Sequence, residues 1–205
     1  LGPRVEVIGT GQRIHAQRLS LGRQPWLTDH RVYDTAVIPG VSYVAMVLQA
    51  LGLPARVEDV SFVEPLFLAE DESRERDVQL LVSRGDATEP DQFEVVSRPA
   101  DATTEAWRRH ATGRIVAAGR FVGQGRRIDL AAVRQHTQPV GLAELDALWG
   151  RIELRFGPSF AALTEAWVGG SVSLARIGIP APLQPYVADE PIHAVLLDAC
   201  TRVTA

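Results

Sequence analysis

Residues 41 to 51 read VSYVAMVLQAL, which is too apolar for a single helical stripe. A helix with one apolar stripe lies on a surface; one that is apolar round most of its circumference has to be enclosed. Pro39-Gly40 before Val41 and Gly52 and Pro54 after Leu51 supply a helix start and stop. A second mostly apolar helical stretch, Ile192–Val203, stands near the other end. The sequence around both is patterned as short extended segments, not as long amphipathic helices. That combination predicts an α+β fold in which each half pairs a β-sheet with one buried helix.

The expected strands of the first half are Val5–Gly9, Ile14–Leu21, Val57–Leu68, Asp77–Arg84, Phe93–Arg98 and Trp107–Ala117. Turn-forming clusters rich in Gly, Asp and Pro separate them. Gly119–Pro139 is rich in glycine and arginine, lacks a sustained period of two, and reads as a linker with about one helical turn. After it, Leu142–Trp149 reads as a short helix and Phe160–Val168 and Val172–Ile179 as strands. Pro180–Pro191 holds four prolines and reads as a loop. The expected organisation is therefore a first unit over 1–119, a linker over 120–139 and a second unit over 140–205. The halves share no visible sequence repeat.

Composition bounds the function. The chain has 205 residues, 46% of them hydrophobic and 22% charged, enough apolar material for a substantial core. The net charge of −4, from 21 basic and 25 acidic residues spread along the chain, makes nucleic acid an unexpected partner. All the basic residues are arginine and asparagine is absent, which fits the codon usage of a GC-rich genome. One cysteine, Cys200, excludes an internal disulfide and a Cys-rich metal site and fits a reducing compartment. No apolar run approaches the roughly 20 residues that span a bilayer, and the first residues lack a signal-peptide layout. The expectation is a soluble, cytoplasmic protein with no membrane partner.

Of the five histidines, His30 has the most suggestive surroundings. It lies in PWLTDHRVYDTAVIPGVSYVAM, in a polar turn between an apolar lead-in and the start of the first helix. A helix beginning at Pro39-Gly40 presents backbone N–H groups suited to a thioester carbonyl or an anionic oxygen. A base beside such a site is the equipment for taking a proton from a carbon next to a carbonyl. Asp198 lies in the apolar helix IHAVLLDACTRV. There it is either paired, or desolvated with a raised pKa and able to donate a proton. The plainer readings are a packing histidine and a helix face that reaches solvent.

Taken together, the segments resemble the dehydratase domains of modular polyketide synthases. His30 to Pro39 matches the spacing HxxxGxxxxP, LGPRVEV resembles the tail of an HPLLG start, and WRRHATGRI resembles W-x-x-H-A-x-G. FGPSF at Phe156–Phe160 resembles YGPxF, and IHAVLLDACTR resembles HPxLLDAxxQ. The resemblance implies a double hotdog, two antiparallel sheets each wrapped around a central helix, here with the second hotdog apparently incomplete because the sequence ends at Ala205, as a fragment would. It implies dehydration of a β-hydroxyacyl thioester on acyl carrier protein, with His30 as base and Asp198 as acid. Pro39, Gly40 and Val41, with the Gly40 N–H on the thioester oxygen, would face substrate together with Phe156, Gly157, Pro158 and Arg202. No metal or other cofactor is implied, since the phosphopantetheine of acyl carrier protein carries the substrate. The implied partners are that carrier protein, neighbouring synthase domains and a second copy in a homodimer.

Several residues depart from the pattern. Asp34 stands at the motif's glycine, either as a solvated turn residue or as a charge close to His30. Phe156 replaces a tyrosine. Arg202, four residues after Asp198, stands where glutamine or histidine is usual; it either reaches the carboxylate and lowers its pKa or points to solvent. His193 is expected to cap or pack at its helix start, and His110 to be structural. The departures keep open a dehydratase-like cyclase or double-bond isomerase, and a catalytically silent scaffold, as alternatives to plain dehydration. A metal hydrolase is disfavoured because no His/Asp/Glu cluster has ligand spacing.

Overall fold

The computed structural model describes residues 1–2, 4–7, 9–53, 55–71, 74–86, 90–116, 127–188 and 190–203. The first half contributes β1 (Arg4–Val7), β2 (Gln12–Leu19), β3 (His30–Val32), β4 (Thr35–Ala36), α1 (Val41–Leu51), β5 (Arg56–Phe62), β6 (Arg76–Ser83), β7 (Asp91–Pro99) and β8 (Arg108–Val116). The second contributes α2 (Leu130–Gln135), β9 (Gln138–Val140), α3 (Leu142–Gly150), β10 (Leu154–Phe156), β11 (Leu163–Val168), β12 (Ser173–Ile177) and α4 (Ala194–Thr201).

Six strands form one antiparallel sheet in the order β1-β2-β6-β7-β8-β5. Alternation decides its inner face: Val78, Leu80 and Val82 of β6 and Phe93 and Val95 of β7 are buried at every second position. They pack with Ala111 and Ile115 against Tyr43, Met46 and Val47 of α1. No residue of α1 is exposed, as its all-round apolar sequence requires. His110 is fully buried in this sheet; its Nδ1–H donates to the Glu64 carbonyl (2.9 Å) and its Nε2 accepts from Ser97 Oγ (2.8 Å), a structural role.

The second half is smaller. Strands β12-β11-β9 form an antiparallel sheet, and Phe160, Ala162, Leu183, Val195 and Ala199 make a separate small core that includes one face of α4. Among the contacts that join the halves are two between named elements. Helices α1 and α4 pack against each other, and β10 of the second half pairs antiparallel with β3 of the first, in a small sheet ordered β10-β3-β4.

Three expectations need correction. The run 57–68 is not one strand: β5 ends at Phe62, and the chain then crosses to pair with residues 36–38 through Ile38 N–H to Leu66 O (2.9 Å) and Leu68 N–H to Ala36 O (2.8 Å). Phe160 lies in a 3-10 turn, Pro158–Phe160, ahead of β11. Pro180–Pro191 is not wholly loop, because Ala181–Tyr186 forms a 3-10 helix, whose tight turns tolerate Pro182 and Pro185. The expected linker over 120–139 is outside the described residues up to 126, as is its boundary at 119. Beyond that it holds α2, capped by the Asp129 carboxylate on the Ala131 and Ala132 N–H groups (3.0 and 3.1 Å), and the first residues of β9, which pair with β11.

Gly113 on β8 tests the sheet packing. A Cβ there would stand 2.8 Å from Cζ of the buried Phe93 ring and 3.1 Å from the Glu58 carbonyl oxygen. Overpacking of this kind costs about 1–3 kcal/mol. Gly113→Ala is therefore expected to lower Tm by roughly 3–10 °C, read by calorimetry.

Candidate active site

His30 is the residue at which a 3-10 turn, Pro25–Asp29, becomes β3. Only 6% of it is exposed. Its Nδ1 lies 2.9 Å from the Val37 carbonyl oxygen, which can only accept, so Nδ1 carries the proton and Nε2 keeps its lone pair. Val37 N–H returns a bond to the His30 carbonyl (3.0 Å), so the ring is tied to the hairpin that follows it. Burial is the main cause that lowers the His30 pKa to about 4; the charge of Arg202 lowers it further, and the Val37 bond opposes both.

The hairpin turn is Tyr33-Asp34, with φ of 49° and 60°. Two central residues at positive φ define a type I′ turn, which favours glycine, asparagine or aspartate. Asp34 is exposed and its carboxylate meets Arg155 of β10 at 2.7 Å, which settles it as a surface turn residue.

Strand pairing sets Phe156 opposite His30, and Phe160 follows in the Pro158–Phe160 turn. The ring centroids lie 5.6 and 5.1 Å from that of His30. Gly157 and Pro158 shape the bend between the two phenylalanines. A Cβ on Gly157 would stand 2.5 Å from Cγ of Asp29, so glycine is required there by close approach.

Asp198 on α4 is 8% exposed and Arg202 is 6% exposed. Arg202 reaches back one turn to Asp198 (Nε to Oδ2, 3.2 Å), so it does not point to solvent. The contact is not an aligned hydrogen bond, and neither atom has another hydrogen-bond partner. The guanidinium is engaged elsewhere, with Nη2 donating to the Phe160 carbonyl (2.6 Å) and the group lying 4.1 Å over the Phe156 ring. The expected lowering of the Asp198 pKa does not prevail. Burial pushes it up to about 6, and Arg202 opposes without reversing it.

At the start of α1 the Ser42 and Tyr43 N–H groups bond back to Pro39 and Gly40 (2.9 and 3.1 Å). Those of Gly40 and Val41 have no backbone acceptor among the described residues. The Phe62 ring closes over Gly40, 3.3 Å from where a Cβ would be. His193 caps α4, its Nδ1 accepting from Val195 N–H (3.2 Å), and packs edge-on against Trp26; burial lowers its pKa to about 4.

A cavity of about 240 Å³ opens between one side of α1, from Ser42 to Gln49, and the start of α4. Trp26, Leu27, Ile38, Ser42, Met46 and His193 are among its walls. Ala194, also in its wall, is one helical turn from Asp198. A smaller cavity of about 110 Å³ meets Phe156, Phe160 and Arg202. Among the described residues, no group of three His, Cys, Asp or Glu side chains is placed to hold a metal, and no helix is long and apolar enough to cross a membrane.

The family model described as polyketide synthase dehydratase domain matches residues 1–98. The dehydratase domain from the CurH module of curacin polyketide synthase superposes with a TM-score of 0.86 at 40% identity, over 98% of this chain and 69% of that one. The chain belongs to the polyketide synthase dehydratase domain family. Among curated relatives, it is 30% identical to the spectinabilin polyketide synthase system protein NorA' of Streptomyces orinoci and 32% to erythronolide synthase EryA2 of Saccharopolyspora erythraea, over 97% of this chain in each case. It spans only 6% and 5% of those proteins. The fold is accordingly the double hotdog, with the second hotdog partial within these 205 residues.

Within the dehydratase domain two residues that the sequence did not single out matter to the site. Asp29, next to His30, receives Gly157 N–H on its carbonyl and Ser159 N–H on its carboxylate, both at 2.7 Å. Trp26 bridges the rings of Phe160 and His193, at 6.1 and 4.9 Å. The only sequence signal for Asp29 was adjacency to the histidine.

Two measurements follow. Arg202→Gln removes a cation that favours both the ionised Asp198 and the neutral His30. NMR titration is expected to find both midpoints raised, that of Asp198 by about 1–3 units. His30 and His193 are neutral when folded but free to protonate when unfolded. The unfolded chain therefore binds more protons between about pH 6.5 and 4, and stability falls as pH drops through that window. His193→Asn, which keeps a capping acceptor, is expected to flatten the loss of Tm across that window.

Proposed function

We propose that this dehydratase domain removes water from a β-hydroxyacyl thioester on acyl carrier protein during polyketide chain elongation, giving an α,β-unsaturated thioester. The observation that carries the reading is the pairing of states: a buried His30 with Nε2 unprotonated, and a buried carboxyl at Asp198 with a raised pKa, both against the cluster of Phe156, Phe160 and Arg202. Elimination needs a base and an acid on neighbouring carbons with their proton affinities held apart.

His30 Nε2 takes the α-proton, and the electrons of that C–H bond move towards the thioester carbonyl. Its oxygen, gaining charge, is received by the Gly40 and Val41 N–H groups at the positive end of α1, next to Pro39. Asp198 protonates the β-hydroxyl as the C–O bond breaks and water leaves with the new double bond in place. The carboxylate so formed is met by Arg202. His30 then loses its proton and Asp198 regains one through solvent, which restores the starting state. Gly157 and Pro158 hold Phe156 as the apolar wall beside the base, and the cavity at Trp26 and Met46 gives room to the acyl chain.

The chemistry uses no metal and no cofactor beyond the phosphopantetheine arm that carries the substrate. Membership of a modular synthase family implies acyl carrier protein and neighbouring synthase domains as partners. A homodimer and a cytoplasmic setting complete the proposal. Ring closure or a double-bond shift on the same histidine is the second reading, kept in view by Phe156 and Arg202. The presence of Pro39 and a buried, acid-competent Asp198 favours elimination.

The test is a β-hydroxyacyl pantetheine thioester bearing a further hydroxyl, incubated with the full-length protein and followed by mass and NMR. The expected product is the linear enoyl thioester, reduced by about 10²–10⁴-fold in both His30→Ala and Asp198→Asn. The rate should fall on the acid side as His30 protonates near pH 4 and on the basic side as Asp198 ionises near pH 6. A cyclic ether of the same mass as the enoyl product would establish the cyclase instead. No product from either hydroxyl epimer would sink both catalytic readings in favour of a scaffold.

A further inference from the structure

We propose that Asp29 is a positioning residue that sets the separation between His30 and Asp198 by clamping the two halves of the domain together, a role that rests on the dehydration reading. The clamp has two bonds from one residue. Its backbone carbonyl accepts from Gly157 N–H and its carboxylate from Ser159 N–H, each at 2.7 Å. The partners lie 128 and 130 positions away in sequence, so neither bond is local. The fit is close from both sides, since a Cβ on Gly157 would stand 2.5 Å from Asp29 Cγ and 2.9 Å from its Cβ.

What the clamp holds is the path between base and acid. Asp29 is bonded in sequence to His30. Gly157 follows Phe156, the strand partner of His30, and Ser159 precedes Phe160. The Phe160 carbonyl in turn takes the Arg202 Nη2–H at 2.6 Å, and Arg202 Nε lies 3.2 Å from Asp198. The links through Asp29 and the Phe160 carbonyl are short hydrogen bonds between half-buried or buried groups, and the last, from Arg202 to Asp198, is a close charge contact without hydrogen-bond alignment. Asp29 has no ion pair among the described residues, so its carboxylate is used as a hydrogen-bond acceptor for backbone N–H, a role asparagine can share.

The experiment compares wild type, Asp29→Ala, Asp29→Asn and Gly157→Ala in the full-length protein. It reads turnover of the β-hydroxyacyl pantetheine thioester and, independently, the ¹⁵N titration of the His30 imidazole. Asp29→Ala is expected to lower kcat by about 30- to 100-fold with KM within about threefold, as misplacement of about an ångström does. It should also move the His30 titration up from about 4 towards the ordinary histidine value as water reaches the loosened ring. Asp29→Asn should recover most of the loss. Gly157→Ala, which forces the clamp open from the opposite side, should shift the titration in the same direction and serves if Asp29→Ala does not fold. An unshifted titration in Asp29→Ala or Gly157→Ala, or an Asp29→Asn as impaired as Asp29→Ala, overturns the clamp. If the wild type turns over no thioester, the dehydration reading fails while the titration still decides the clamp.

Discussion

Three residue pairs between β3 and β10 hold this site together: Val32 with Leu154, Arg31 with Arg155, and His30 with Phe156. The first half of the chain folds round α1 and the second packs on α4. Neither by itself holds both His30 and Asp198. Pairing β10 on β3 brings the Phe156–Phe160 segment under the His30 ring, and Arg202 and Asp198 come with it. A slip of one residue would turn Phe156 to the other face of the strand and remove the wall beside the histidine. Because strands this short have few ladder bonds, the register depends on what lies at their ends. Those are the Tyr33-Asp34 turn on one side and the close contact of Asp29 with Gly157 on the other.

Enclosure in this small space acts on two titratable groups in opposite directions. The same loss of solvent that makes an imidazolium costly at His30 makes a carboxylate costly at Asp198. Burial, the largest cause of both shifts, therefore leaves His30 free of its proton and Asp198 in possession of one across an interval of mildly acidic pH. No third group has to assign the protons. The Val37 carbonyl decides only which nitrogen of His30 is free, and it does so from a backbone position that side-chain substitution cannot remove.

The parts of this arrangement that were legible in the sequence are those with a long enough period. The helices α1 and α4 declared themselves by apolar side chains all round, and β2, β6, β7 and β8 by alternation over eight or nine residues. Strands β3, β4, β9 and β10 span two or three residues and carry no period at all, so the joint between the halves was invisible. Asp198 stood out as a titratable group in an apolar helix, and His30 as one in a polar turn just ahead of the first helix, each within a recognisable segment. Asp29 did not, because its importance lies in hydrogen bonds to residues far away in sequence. The direction of Arg202 was open for a similar reason: helix spacing brings position 202 within reach of position 198, but only the Phe160 carbonyl and the Phe156 ring decide that it goes there.

A buried arginine one turn from a buried aspartate would ordinarily settle into an aligned ion pair and strip the carboxyl of its proton. Here the guanidinium is held from two other directions. Its Nη2–H is committed to the Phe160 carbonyl, and its plane lies over the Phe156 ring, which attracts the cation through its face. What remains for Asp198 is an Nε at 3.2 Å without hydrogen-bond alignment. The charge is close enough to stabilise a carboxylate once the proton has left, yet the contact is too poorly directed to take the proton away beforehand. Phenylalanine at position 156 and arginine at position 202 therefore act as a pair. The Phe156 ring gives the guanidinium a face to lie on, and the guanidinium, so placed, leaves Asp198 to be governed mainly by burial.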